Sequence, residues 1–592
     1  MKAFTEPLLS LAGFEEMTKT AEKSSGLISV TGCIDAQKSQ MIYAFGGHRK
    51  NKLIVTFGEQ KAKELYDEYS FFDKEVVYYP SKDVLFYQSD IRGNLLTAER
   101  IRALKAIREQ ERVTLVTTFD ALMNTMAPIE KMWENVLTLE QGQLLDLKEI
   151  QAALIRMGYE KEYQVQTMGQ FSVRGGILDV FPLTEENPIR IELWGDEIDT
   201  IRYFDCESQK SIENTDRVSI YPAAEIVLSD EEKAGGIEKL KAEAKRVSDK
   251  LRKQMKTEEA HRVTVMADEL TEEWGELSMY AGMDAFLSYF FDERVGLLDY
   301  FKPSDSLIFF DELTRCTEQG KLTETEFSES MKQRLAMGYI LPGQMNGLFT
   351  EKEIVAKLGK YSCIALGALD NKANGLHQLG SYGIHCQSVS PYNNSFELLI
   401  KDLKRYKKNG YRVILLSGSR TRAKRLSEDI TDQGITCFYT ENYDHELFEG
   451  QIMVCYGKVR RGFEYPILKF AVITESDIFG AQQKKKKRHR TYEGEKIQSF
   501  TDLSVGDYVV HENHGLGIYR GIEKLEVDKK VKDYIKIEYQ GGSNLYILAT
   551  QLDMIQKYAG KDARKPKLNK LGGQEWTRTK NCLLYTSPSP RD

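Results

Sequence analysis

Hydrophobic and polar positions alternate in distinct ways along this chain. Between residues 24 and 125, short β-rich apolar runs at 27–30, 53–57, 76–79 and 114–118 are separated by helical stretches at 59–69 and 95–108. In the second of these stretches, Leu96, Ile101, Leu104 and Ile107 fall at near-helical spacing. Strand–helix alternation of this kind predicts a parallel α/β sheet. From 141 to 222 the pattern changes to a helix over 148–157 followed by strands around 171–181, 189–194 and 198–204, a compact α+β unit inserted between two parts of the first sheet. A charged helical run at 231–259 reads as a solvated helix, and 285–310 returns to β and aromatic composition. A second small α/β unit begins at 396, with a helix to 408 stopped by Asn409-Gly410, a strand at 411–416, a helix at 420–432 and strands at 435–439 and 469–474. Residues 503–558 alternate over short strands punctuated by glycine, with turns expected at Gly506-Asp507, His514-Gly515 and near Gly521. That pattern predicts a small SH3/Tudor-like β-barrel.

One strand carries more than folding asks of it. In PIRIELW (188–194), closed by the turn Gly195-Asp196, Ile189, Ile191 and Leu193 share one face and Arg190, Glu192 and Trp194 the other. Upstream, Phe171 and Val173 alternate with Ser172 and Arg174, so a second arginine is presented the same way. Arg and Trp are the side chains that most often carry binding energy at interfaces. An edge strand with solvated charges and one stray aromatic fits the same spacing, so both readings stand at this level.

Composition narrows the classes. With 592 residues, 41% hydrophobic and 29% charged, the chain is an ordinary globular sequence with room for several cores. No apolar run approaches the roughly 18 residues that span a bilayer. The start, MKAFTEPLLSLAGFEE, lacks a basic and then apolar leader, so no signal peptide and no membrane partner are expected. Eight cysteines are scattered without a CxxC pair, which suits reduced thiols in a cytoplasmic protein better than a disulfide frame or zinc site. No metal pattern is found among the histidines either. A net charge of −7 restricts any nucleic-acid contact to a local patch.

Two stretches carry candidate chemistry. Gly32-Cys-Ile-Asp-Ala-Gln37-Lys38-Ser39 follows the phosphate-loop pattern GxxxxGK[ST] except at Gln37, where a glycine would let the backbone curl around phosphate. Downstream, LIFFDE (307–312) has the hydrophobic strand and acidic pair, Asp311 and Glu312, that hold magnesium and water in such ATPases. A glutamine at the bend predicts a nucleotide site retired from chemistry and kept for its fold; the alternative is a residual ATPase. The loop Ser417-Gly-Ser-Arg420 before a helix is a weaker anion-site signal. The basic run Lys484, Lys485, Lys486, Lys487, Arg488 and Arg490 lies in a linker at 481–497, and its other reading is a non-specific DNA contact.

VRGGILDVFP (173–182), IRIELWGDEIDTIRYFD (189–205) and VGDYVVHENHGLGIYRGI (505–522) with LGGQEW (571–576) together resemble the bacterial transcription-repair-coupling factor (Mfd) family over residues 1 to about 580. The first two motifs are shared with the repair helicase UvrB and the third with CarD-type polymerase-interacting domains. The resemblance implies a degenerate RecA/UvrB-like fold over 1–140 and 223–345 and an inserted UvrA-binding module at 141–222. It further implies a small α/β spacer at 385–480 and, at 498–560, a domain that binds the RNA polymerase β subunit. It assigns UvrA contacts to Arg174, Arg190 and Trp194, the last where the family usually has phenylalanine, and polymerase contact to Leu525. In the family, an ATP- and magnesium-dependent DNA translocase motor follows LGGQEW. That motor is missing from this sequence, so neither cofactor is expected within these residues. The tail NCLLYTSPSPRD (581–592), following a linker that starts at 561, is unlike what precedes it and reads as non-native.

Overall fold

A computed structural model describes residues 1–45, 51–82, 94–206, 208–276, 283–370, 374–480, 494–496, 503–511, 515–527, 530–540, 543–548, 555–558 and 568. The first unit is built on a seven-stranded sheet in the order Gln378–Gly383, Gly26–Thr31, Ser362–Leu366, Ser306–Asp311, Asn51–Thr56, Val113–Thr118 and Val77–Tyr79. Every adjacent pair is parallel. Parallel sheets carry apolar side chains on both faces, and here one core gathers Leu53, Leu115, Ile308 and Phe310 while another gathers Ile28, Ile54, Val116 and Phe309. The helix Glu59–Tyr69 has the bounds its periodicity predicts, and Asn94–Glu109 is one residue longer at each end. Two strands that the pattern does not single out, Ser362–Leu366 and Gln378–Gly383, carry this sheet past residue 345. The charged run expected as one helix is two, Asp230–Lys253 and Thr257–Glu276, divided at Met255, whose φ of 63° no helix accommodates.

The inserted unit holds a six-stranded sheet in the order Ser211–Asn214, Glu197–Phe204, Ile189–Trp194, Ile177–Val180, Gln170–Arg174 and Glu160–Lys161. Its inner face, with Phe171, Leu178, Val180, Ile189, Ile191 and Ile201, packs with Ile150 and Leu154 of the helix Leu147–Arg156. Asp146 caps that helix by accepting the Lys148 N–H at 2.7 Å. The insert returns to the host where the Tyr159 hydroxyl donates to the Tyr221 carbonyl at 2.6 Å and Lys105 pairs with Glu185 at 3.0 Å.

A second α/β unit follows. Arg412–Ser417 pairs in parallel with both Phe470–Thr474 and Ile452–Tyr456, under the helices Phe396–Lys408 and Arg420–Asp432. It is not separate from the first unit: Phe71 and Tyr443 meet edge to face at 5.6 Å, and Arg460 pairs with Glu64 at 2.6 Å. The last sheet is antiparallel, in the order Gly494–Lys496, Ile555–Tyr558, Tyr508–His511, Gly515–Val527, Lys530–Glu538 and Asn544–Leu548. Gly521, expected near a turn, lies instead inside the long strand at a register shift, with φ 104°. A glycine inside a strand marks such a bulge because no Cβ opposes the positive φ. No helix among the described residues is long and apolar enough to cross a membrane.

Candidate functional site

The outer face of the inserted sheet is set by strand register. Cross-strand pairing aligns Ser172, Asp179, Arg190 and Arg202 in one row and Arg174, Ile177, Glu192 and Thr200 in the next. Residues directly opposite share a face, so this register delivers two arginines to one carboxylate. Arg190 donates from Nε to Asp179 Oδ1 at 2.7 Å and from Nη2 to Oδ2 at 2.8 Å, a bidentate fork, and also reaches Gln209 at 2.9 Å. Its guanidinium lies 4.4 Å over the Phe204 ring. The hydrogen bond to Asp179, which outweighs burial, holds the arginine above its ordinary range. Arg190 is therefore on the expected face but not in open water: its side chain is only 12% exposed. Arg174 bonds the same Asp179 from one nitrogen at 2.9 Å and keeps 36% exposure.

Trp194 ends the strand fully in solvent, 84% exposed. It pairs with Glu197 across the predicted two-residue turn, where Gly195 adopts φ 66°. The neighbouring hairpin turn, Gly175-Gly176, brings Arg174 to the same edge: the Leu193 N–H donates to the Gly176 carbonyl at 2.8 Å. A Cβ at Gly176 would press that strand's Leu193 carbonyl at 3.1 Å. Sequence reasoning missed Asp179, the buried anchor of both arginines. Its only trace is a carboxylate interrupting the apolar run ILDVF. Tyr163 was missed too: 83% exposed, it is held at the edge of this face by Ser172, which donates to its carbonyl at 2.7 Å.

The phosphate-loop stretch is closed. Only three residues separate the strand Gly26–Thr31 from the helix Asp35–Phe45, so Gln37 lies within the helix and the bend that would need a glycine there does not exist. Gln37 is fully buried, its side-chain amide without a hydrogen-bond partner among the described residues beyond the weak thiol of Cys33 beside it. Gly32 remains obligatory, since φ is 77° and a Cβ would lie 2.1 Å from the Ile384 carbonyl oxygen. Lys38, 1% exposed, donates to Asp311 at 2.5 Å, Glu312 at 2.9 Å and Asp35 at 3.1 Å. Burial lowers the lysine's proton affinity, but the Asp311 and Glu312 carboxylates more than restore it. Ser39 donates to Glu68 at 3.5 Å, and Glu68 accepts the Arg460 N–H at 3.1 Å from the second α/β unit. The weaker anion loop is likewise filled from within: Ser417 and the Gly418 N–H both donate to Glu475, at 2.9 and 2.7 Å, and Arg422 pairs with it.

Leu525 lies in the strand Gly515–Val527, opposite Lys532. Lys484, Lys485, Lys486, Lys487, Arg488 and Arg490 fall outside the described residues, as do 581–592.

An insert carried on a parallel α/β sheet, followed by a second α/β unit and a small antiparallel sheet, defines a multi-module protein. Residues 137–226 match the UvrB interaction domain and residues 503–559 the CarD-like/TRCF RID domain. The chain is 32% identical over 530 residues to the transcription-repair-coupling factor of Bacillus subtilis (strain 168), covering 89% of this chain and 44% of that protein. It is 30% identical over 565 residues to that of Staphylococcus haemolyticus (strain JCSC1435), covering 93% and 47%. To that of Staphylococcus aureus (strain USA300) it is 29% identical over 582 residues, covering 96% and 48%. The chain thus spans about half the length of the curated relatives it matches, and these similarities together support an N-terminal half of a transcription-repair-coupling factor.

Proposed function

We propose that this chain acts in transcription-coupled DNA repair as a recruitment scaffold that engages stalled RNA polymerase and hands the lesion to UvrA. The observation that carries the reading is the edge formed by Arg174 and Trp194: a guanidinium with unused donors beside a solvent-exposed indole, on a rigid sheet, within the stretch that matches the UvrB interaction domain. Arg174 offers a planar fork to partner carboxylates, Trp194 supplies apolar area, and Arg190 positions the shared Asp179. The antiparallel domain, which we take to close as an SH3/Tudor-like barrel, would engage the polymerase β subunit through the strand that carries Leu525. ATP-dependent DNA translocation belongs, in this reading, to a motor outside these residues, and DNA contact follows mainly from it.

Calorimetric titration of the chain with UvrA tests the first contact. Arg174→Ala and Trp194→Ala are each expected to weaken binding by roughly 2–4 kcal/mol, the range of interface hot spots. Unchanged affinity in the double variant would remove the assignment. Leu525→Arg is expected to abolish co-elution with the polymerase β subunit while leaving the UvrA titration intact.

A further inference from the structure

On the side of Trp194 away from Arg174 the charge reverses. The tip of the hairpin 189–204 meets the Glu140–Gly142 turn and the start of the strand Arg217–Ile220, enclosing a groove of about 650 Å³. Its walls are fixed by backbone: Gly142 N–H donates to the Ile198 carbonyl at 2.8 Å, Gln141 N–H to Asp216 at 2.9 Å, and Leu145 N–H to Asp196 at 2.7 Å. Four carboxylates line it, those of Glu140, Glu197, Asp199 and Asp216, against one guanidinium, Arg217, which is engaged by Glu140 at 3.2 Å. Among the described residues, Glu197, Asp199 and Asp216 have no cationic partner. The apolar part of the rim is Trp194 and, bridged to Glu197 across the backbone, Leu144, which is 75% exposed.

We infer that this groove receives an arginine or lysine side chain of the partner that docks at Arg174, an inference that rests on the recruitment reading above. Three unmatched carboxylates set a negative potential that repels anionic groups, while the exposed indole gives a cation a π face to lie on. A guanidinium meets both demands at once, stacking on the ring and forking to a carboxylate. The docking surface is therefore two-signed: Arg174 asks for an acidic group on one side of Trp194, and the groove asks for a basic one on the other. Such an alternation fixes the orientation of a partner and penalises one bound in reverse.

Two measurements on the whole chain test this. The first follows Trp194 emission during titration with a hexa-arginine peptide, with Trp194→Phe identifying the signal. A salt-sensitive shift that disappears in the Asp199→Asn/Asp216→Asn double variant is expected. No shift, an equal shift with hexa-aspartate, or the same response to calcium chloride would overturn the inference, the last in favour of a metal. The second measurement titrates UvrA into the same double variant, which is expected to bind roughly fivefold to tenfold more weakly and with a shallower salt dependence, as for two exposed interfacial charges. If Arg174→Ala loses UvrA and the groove variant does not, the groove inference fails and recruitment stands. If the unaltered chain fails to bind UvrA, recruitment falls and takes the groove's assignment to that partner with it, while the peptide titration still decides whether the groove prefers a cation.

Discussion

Lys38 and Arg174 each reach a buried carboxylate, yet one is closed and the other half open. Lys38 has three N–H donors and three carboxylate acceptors around it, Asp35, Asp311 and Glu312, so no donor is left to meet a phosphate. Arg174 has five donors and spends one described bond on Asp179. The chemistry is the same in kind, but saturation differs: a cation whose donors are all matched inside the fold holds the fold, whereas one with donors turned outward can hold a partner. The face around Arg174 keeps this capacity because Arg190, not Arg174, supplies the bidentate fork that Asp179 requires.

The largest test of that contrast is at the closed site. Lys38→Ala leaves Asp311 buried without its cation and is expected to destabilise the first unit by about 3–5 kcal/mol, as measured by urea denaturation. Nucleotide binding, followed by a fluorescent ATP analogue, should be the same before and after. A stable variant that has lost micromolar ATP affinity would instead revive the ATPase reading.

The next effect is a pH dependence at the same junction. Burial pushes the Glu68 carboxyl up to about 7, against the lowering effect of the Arg460 N–H. A raised carboxylate binds a proton in the folded state that the unfolded chain has already released. Stability is therefore greatest below the unfolded value near 4.5 and is lost as pH rises toward about 7, by up to roughly 1.4 kcal/mol per pH unit. The difference between the wild-type chain and Glu68→Gln, measured by denaturation from pH 5 to 8, should carry that slope. A flat difference would mean that Glu68 is solvated.

The smallest effect separates the two arginines. Arg190→Ala is expected to cost the insert about 2 kcal/mol of stability, since Asp179 loses its fork. Arg174→Ala should cost less than about 0.5 kcal/mol, as for exposed pairs, and act on UvrA binding alone. Equal melting of the two variants would undo the division between an anchoring and a contacting arginine.

The strand alternation of 188–194, the Gly195-Asp196 turn and the bounds of the helices at 59–69 and 396–408 were legible because each depends on neighbours within a turn or two. So was the meeting of Lys38 with Asp311 and Glu312, although they lie more than 270 positions apart, because the motif spacing encodes the approach of two strand ends. Asp179 was not legible as an anchor. Its partnership with Arg190 depends on which residues of two strands stand opposite, and a shift of one position would have turned it to the other face. The closing of the phosphate loop was legible only as a substitution. Gln37 reads as an obstacle to a bend, and only the early start of the helix at Asp35 reveals that no bend remains.

By itself, the sequence determined the succession of α/β, α+β, α/β and antiparallel units, the Arg–Trp face of one strand and the defect in the phosphate loop, all properties of residue type at short range. Tertiary structure alone decided which charges are used up inside the fold and which keep donors or acceptors facing solvent. That outcome depends on how many acceptors the packed chain brings within hydrogen-bond reach of each donor, and segments far apart in sequence supply them: Asp311 to Lys38, Glu68 to the Arg460 N–H, Asp216 to the groove beside Trp194.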